Sequence, residues 1–171
     1  ALLLTQLVAV PFSIWFGKLS GKYGSIKVLT GAVCIYIGVC FVGFFMGFNI
    51  EQNPDDPGAL QLSLGLFWSM AFLVGTVQGG IQAISRSYFG RLIPPERSNE
   101  YFGFFDIFGK FAAVIGPFLI ATFSQLTGRD SIGIISLMLL FIVGLALLLG
   151  GRKTFARAEA EIAGKDGVRE P

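Results

Sequence analysis

Long apolar runs alternate along the chain with short polar ones, and the runs have membrane length. A bilayer core of about 30 Å needs about 20 mainly apolar residues per helix. Four runs meet that length, at roughly 27–48, 61–84, 100–125 and 131–150, and an opening run over 1–16 forms a shorter fifth. Between them lie "GKLSGKYGSIK", the Pro- and Asp-rich "NIEQNPDDPG", the basic "SRSYFGRLIPPERSNE" and the short "LTGRDS". The pattern predicts an all-α, polytopic membrane helical bundle of five transmembrane helices over residues 1–150. From Gly151 the chain turns mixed in charge and glycine-containing. That change predicts a disordered cytoplasmic tail over 151–171, its first basic residues meeting lipid headgroups.

Charge then orients the spans. Short cytoplasmic loops collect Lys and Arg. Lys18, Lys22 and Lys27 fall in the first connection, Arg86, Arg91 and Arg97 in the third, and Arg152, Lys153 and Arg157 after the last span. The alternate connections carry Glu51, Asp55 and Asp56, and Arg129 beside Asp130. All three basic segments therefore share one side, which places the visible N-terminus outside and the C-terminus in the cytosol. Trp15, Tyr23, Tyr88 and Tyr101 fall near the predicted interfaces, where aromatic belts sit. The chain opens at Ala1 inside an apolar run with no basic flank, which reads as a cut from a longer protein rather than a signal peptide.

Composition narrows the chemistry. Of 171 residues, 53% are hydrophobic and 14% charged, against about 45–50% and about 25% in soluble domains. There is no His, and the only cysteines are Cys34 and Cys40. Six residues apart on one helix, they stand roughly 9 Å apart along its axis, too far for a disulfide, and are expected as free thiols. Nothing resembles a nitrogen- or sulfur-ligated metal site, and no nucleophile–base pair lies on the spans, so no metal, cofactor, nucleic-acid partner or enzymatic activity is expected.

The polar residues at membrane depth are the candidate site. If the fourth span enters from the cytosol near Glu100, Asp106 lies roughly 9 Å deep and Lys110 roughly 15 Å. An isolated charge at the bilayer centre costs about 2.5–3.5 kcal/mol on insertion scales. Four residues apart, the two share a helical face, where they can pair. Either the face borders an aqueous cavity, where Asp106 carries a coupling proton or binds an ammonium and Lys110 binds a carboxylate, or the two form a static ion pair that fixes packing. Gln78, expected level with Asp106 across the hairpin, and Gln82 one turn on, either bridge helices or line a solute path. Gly75 and Gly79, like Ala112 and Gly116, have the spacing of close helix approach. Pro117 is expected to kink the fourth span, since it cannot donate to the carbonyl of Ala113.

The first connection, "GKLSGKYGSIKVL", resembles the second-half copy of the major facilitator superfamily signature. Gly17, Lys22, Gly24 and Lys27 match the pattern, while Gly21 stands where the family places Asp and Ser25 where it usually has Arg or Lys. The segment "VQGGIQAISRSYFGRLIPPERSNEYFGFFDIFGKFAAVIGPFL", residues 77–119, resembles the vacuole-effluxer branch of that superfamily, which includes a fungal vacuolar amino-acid effluxer and bacterial members. "AAVIGP" weakly resembles the Gly-Pro signature of antiporters. The resemblance implies that the five spans are helices eight to twelve of a twelve-helix permease. Their partners would be the lipid bilayer, the missing amino-terminal half and a small solute. It implies a secondary active transporter of a small polar solute, with an amino acid as the candidate, working by alternating access in a bacterial plasma membrane, with Gly17, Lys22, Gly24, Lys27, Gly116 and Pro117 as gating elements. The alternative is a non-transporting scaffold or sensor that keeps the permease fold.

Overall fold

A computed structural model describes residues 2–53 and 56–166, without the side chains of Leu2, Pro95 and residues 159–166. Five helices follow one another: α1 (Leu2–Tyr23), α2 (Ser25–Gln52), α3 (Pro57–Leu92), α4 (Ser98–Thr127) and α5 (Asp130–Asp166), with a 3₁₀ turn at Pro95–Arg97 before α4. All five have the length and composition to cross a membrane, and no strand occurs among the described residues. The chain is a multi-pass, all-α membrane protein.

Each connection has a local cause. The α1–α2 turn is a single residue, Gly24, at φ 90°, where any side chain would be strained. Its N–H donates to the Ser20 carbonyl at 2.9 Å, and the hydroxyls of Ser20 and Ser25 bond across it. α3 starts with Asp56 as its cap, accepting from the Gly58 N–H at 2.9 Å, and with Pro57 in the first turn. It ends because Ile93 precedes Pro94, which forces Ile93 into the extended region at φ −102°, ψ 145°. α4 closes on Gly128 in the left-handed conformation, φ 67°. The first turn of α5 is capped from a distance: the Ser131 N–H and Oγ each donate to the Glu51 carboxylate of α2, both at 2.8 Å.

The helices outrun the apolar stretches that predict them. α1 continues seven residues beyond Phe16, and α3 continues eight beyond Ile84, because neither segment contains a proline or a positive-φ residue before Gly24 and Pro94 respectively. The largest difference is at the C-terminus. The tail expected to be disordered from Gly151 is instead helical to Asp166 as a continuation of α5, and residues 167–171 lie outside the described residues. Gly150 and Gly151 lower helix propensity only by about 1 kcal/mol each, and the "RKTFARAEAEIA" that follows is built largely of good helix formers. Phe155, beyond the expected span, packs edge-on against Tyr88 of α3 with ring centroids 6.2 Å apart.

The core lies between α1, α2 and α3, where Phe16, Val28, Ala32, Val77 and Ile84 are buried together. α3 reaches α1 through glycine. A Cβ on Gly79 would stand 2.5 Å from the Ala9 carbonyl oxygen, and one on Gly80 would collide with the Phe16 ring. The spacing of Gly75 and Gly79 thus does mark a close approach. α5 packs along α2, with Tyr36 stacked on Phe141 at 5.2 Å, and α4 packs on α5. The tight α4–α5 point is at Gly133, whose Cβ would meet the Ser124 hydroxyl at 2.5 Å. Gly116 makes only an ordinary contact toward Leu137, at 3.7 Å. α4 remains one helix through Pro117 and has no buried residue.

Candidate functional site

The polar groups singled out from sequence lie on α3 and α4, which meet at one end only. There Arg86 of α3 donates to the Asp106 carboxylate of α4 at 2.9 Å. Next to this pair, Phe89 stacks on Phe105 at 4.8 Å and meets Phe102 edge-on at 5.5 Å. Gly90 leaves room for Phe102 beneath it. Beyond this cluster the two helices do not pack along their lengths.

Asp106 therefore pairs with Arg86 and not with Lys110. The reason is register. Because α3 stays helical to Leu92, the hairpin turns around Glu96, ten residues from Arg86 and ten from Asp106. Asp106 is consequently level with Arg86 instead of Gln78, nearer the loop end than a turn at the apolar boundary would place it. At 1.5 Å per residue Lys110 lies about 6 Å further along α4, level with Gln82. The Arg86 and Asp106 side chains are 61% and 48% exposed, so the pair contributes about 0–1 kcal/mol. Its value is positional, since it holds one end of a cleft.

Lys110 is exposed and has no ion pair among the described residues. Gln78 is half-buried and Gln82 exposed, and neither amide hydrogen-bonds another described residue, so they do not bridge helices here. Helical spacing puts Gln78, Gln82, Ser85 and Phe89 on one side of α3, and Phe102, Asp106, Lys110, Ala113 and Pro117 on one side of α4. Since Phe89 and Phe102 touch across the hairpin, helical register directs those two sides toward the space between α3 and α4. A cation and two unengaged amides open beyond a closed end form an arrangement able to hold a carboxylate or another small polar anion.

The other candidates stand apart. Gly116 and Pro117 lie further along α4, and Gly17, Lys22, Gly24 and Lys27 lie at the α1–α2 turn. Lys22 sits over the Tyr23 ring, 5.4 Å from its centroid. Cys34 and Cys40 are free thiols, as their spacing predicts. Among the described residues no group of His, Cys, Asp and Glu could hold a metal ion. Two residues went unassigned from sequence. Arg86 reads from sequence as a topology determinant, with anion gating as the lesser alternative, and its pairing with Asp106 emerges only when the hairpin is folded about its prolines. Glu51 has no comparable signal, because its partner Ser131 is 80 residues away.

Comparison with known proteins identifies relatives of this sequence. The MFS-type transporter YxiO of Bacillus subtilis (strain 168) is 46% identical over 147 residues, covering 86% of this chain and 31% of that protein. Autophagy-related protein 22 of Cryptococcus neoformans is 28% identical over 161 residues, covering 93% of this chain and 29% of that protein. The same-named protein of Saccharomyces cerevisiae is 30% identical over 79 residues, 46% of this chain and 15% of that one. The chain thus spans at most about a third of the length of these relatives. No solved structure matches. A family described as vacuole effluxer Atg22 like matches residues 2–161. The chain belongs to that family.

Proposed function

We propose that the chain is the carboxyl-terminal part of a secondary active transporter that moves a small polar solute by alternating access, its five spans standing as helices eight to twelve of a twelve-helix permease. The observation that carries this is Lys110, which has no ion pair among the described residues on a helix long enough to cross a membrane, and which register directs toward the space between α3 and α4. An intramembrane ionisable residue is retained against an insertion cost, and its usual reason is a solute or ion path. The relatives support a transporter, being an MFS-type transporter and vacuole-effluxer-like proteins. The missing amino-terminal half would supply the opposite wall, the basic ends would face the cytosol, and the membrane would be a bacterial plasma membrane.

An amino acid fits the cleft as solute, its carboxylate on Lys110 and its remaining polar groups on Gln78 and Gln82. Asp106 is the candidate for proton coupling, and the Arg86 pair implies that such a role needs the hairpin to open. The test uses the full-length protein. Solutes are screened by thermal stabilisation, because a ligand that binds only the folded state raises apparent stability. The stabilising solute is then followed in counterflow from proteoliposomes. Lys110→Met is expected to abolish exchange and Lys110→Arg to retain part of it. Full exchange by Lys110→Met would overturn the assignment of Lys110. Absence of any stabilising solute and of any exchange would favour the scaffold or sensor reading.

A further inference from the structure

A groove of about 400 Å³ runs between α1 and α2 toward their shared turn. Trp15 and Leu19 of α1 and Gly31 and Ile35 of α2 form its walls, over Phe16 and Val28 at its base. Its lining is almost wholly apolar until the turn, where Tyr23 and Lys27 close the end. The groove therefore has a long hydrophobic body and a cationic head at the α1–α2 turn.

Charge says what fits it. Residues 1–50 contain no acidic residue, and their only charges are Lys18, Lys22 and Lys27, all grouped around the turn. None of the three has an ion pair among the described residues, and Lys22 lies over the Tyr23 ring. Three uncompensated lysines at the polar end of an apolar groove match an anion that carries its own hydrocarbon chain. Zwitterionic lipid satisfies the groove but leaves the lysines without a net counter-charge, and a free phosphate satisfies the lysines but leaves the groove empty.

We propose that the α1–α2 groove binds one anionic phospholipid of the phosphatidylglycerol class, with an acyl chain between Trp15 and Ile35 and the phosphate held by Lys22 and Lys27. Basic pockets between transmembrane helices recognise anionic headgroups by this combination of charge and shape. The site is separate from the α3–α4 cleft and does not depend on its assignment. Because α1 and α2 are joined by the single residue Gly24, a lipid seated here spans both helices at their turn.

Native mass spectrometry of the full-length permease tests this, after mixing with dioleoyl-phosphatidylglycerol or dioleoyl-phosphatidylcholine in detergent. The wild type is expected to retain the anionic lipid preferentially. Lys22→Ala with Lys27→Ala should lower that retention by roughly thirtyfold, two cations each contributing about 1 kcal/mol. Lys153→Ala, on the same charged side, should leave it unchanged. Gly31→Leu should lower retention of the lipid by filling the groove, with all three lysines intact. A Cβ at Gly31 meets nothing within 4 Å, so the change does not require repacking. Equal retention of both lipids by the wild type, or unchanged retention in Gly31→Leu, overturns the proposal. Displacement by chain-free glycerol phosphate as effective as by the lipid also overturns it, since the groove would then play no part.

Discussion

α3 and α4 are both long, both apolar enough to cross a membrane, and joined by one short basic loop, yet they are buried to opposite degrees. α3 has nine buried residues, among them Gly75, Val77, Gly80, Ile84 and Tyr88, and α4 has none. Overall hydrophobicity does not separate them. Side-chain size does: α3 approaches α1 through Gly75, Gly79 and Gly80, where its backbone comes within contact distance of a neighbour, while α4 displays Phe104, Phe108, Phe111 and Phe118, each at least 59% exposed. In a membrane, where apolar surface gains little by leaving lipid, close approach through small residues decides which helix forms the interior. Large residues on a helix of equal hydropathy leave it at the margin, facing lipid or a further part of the protein.

Three measurements on the full-length protein sharpen the contrast, and the largest effect should come from glycine. Gly79→Leu must push the Ala9 backbone away and is expected to destabilise by about 3 kcal/mol or more. Gly109→Leu on α4, where a Cβ meets nothing within 4 Å, should stay within about 0.5 kcal/mol. Thermal unfolding in detergent reads both, and equal effects would erase the distinction between the helices. A truncation comes next. Val77, 2% exposed, and Val114, 68% exposed, differ only in surroundings. Val77→Ala should cost about 1–2 kcal/mol through the space it leaves, and Val114→Ala should be near neutral.

The smallest effect belongs to the contact that joins the two helices. A double-mutant cycle of Arg86→Ala and Asp106→Asn should give a coupling of about 0–1 kcal/mol. The coupling should fall as salt rises, because the pair is exposed. A coupling several times larger would mean that the pair is shielded in the complete protein, and that the rest of the chain covers this end of the cleft.

The apolar runs were enough to read five helices and their order, because bilayer length acts locally. Gly75 and Gly79 could be read for the same reason, since spacing four apart is a property of one helix. What escaped the sequence depends on where helices stop outside lipid. Apolar runs mark how much of a helix is greasy, not where its hydrogen bonds end, so α3 was read two turns short and Asp106 was matched with the wrong level of its neighbour. The same gap hid α5 beyond Gly151, where Arg, Ala and Glu sustain a helix that hydropathy does not see. Within the candidate cleft, Lys110 and the two glutamines were legible as polar residues on helices, but their lack of partners was not, because pairing is settled by register between helices.

The Glu51–Ser131 contact has a consequence for the order of assembly. The carboxylate leaves the ribosome 80 residues before the amide and hydroxyl it accepts from, so α2 must wait, with this terminus unengaged, until the last helix is made. Closing the contact fixes the start of α5 against the end of α2 and, through α5, brings in α4, which has little other anchorage. A chain interrupted before Asp130 would lose more than its final helix: α4 would have almost nothing to lean on, and a quality-control protease would meet it as a loose segment.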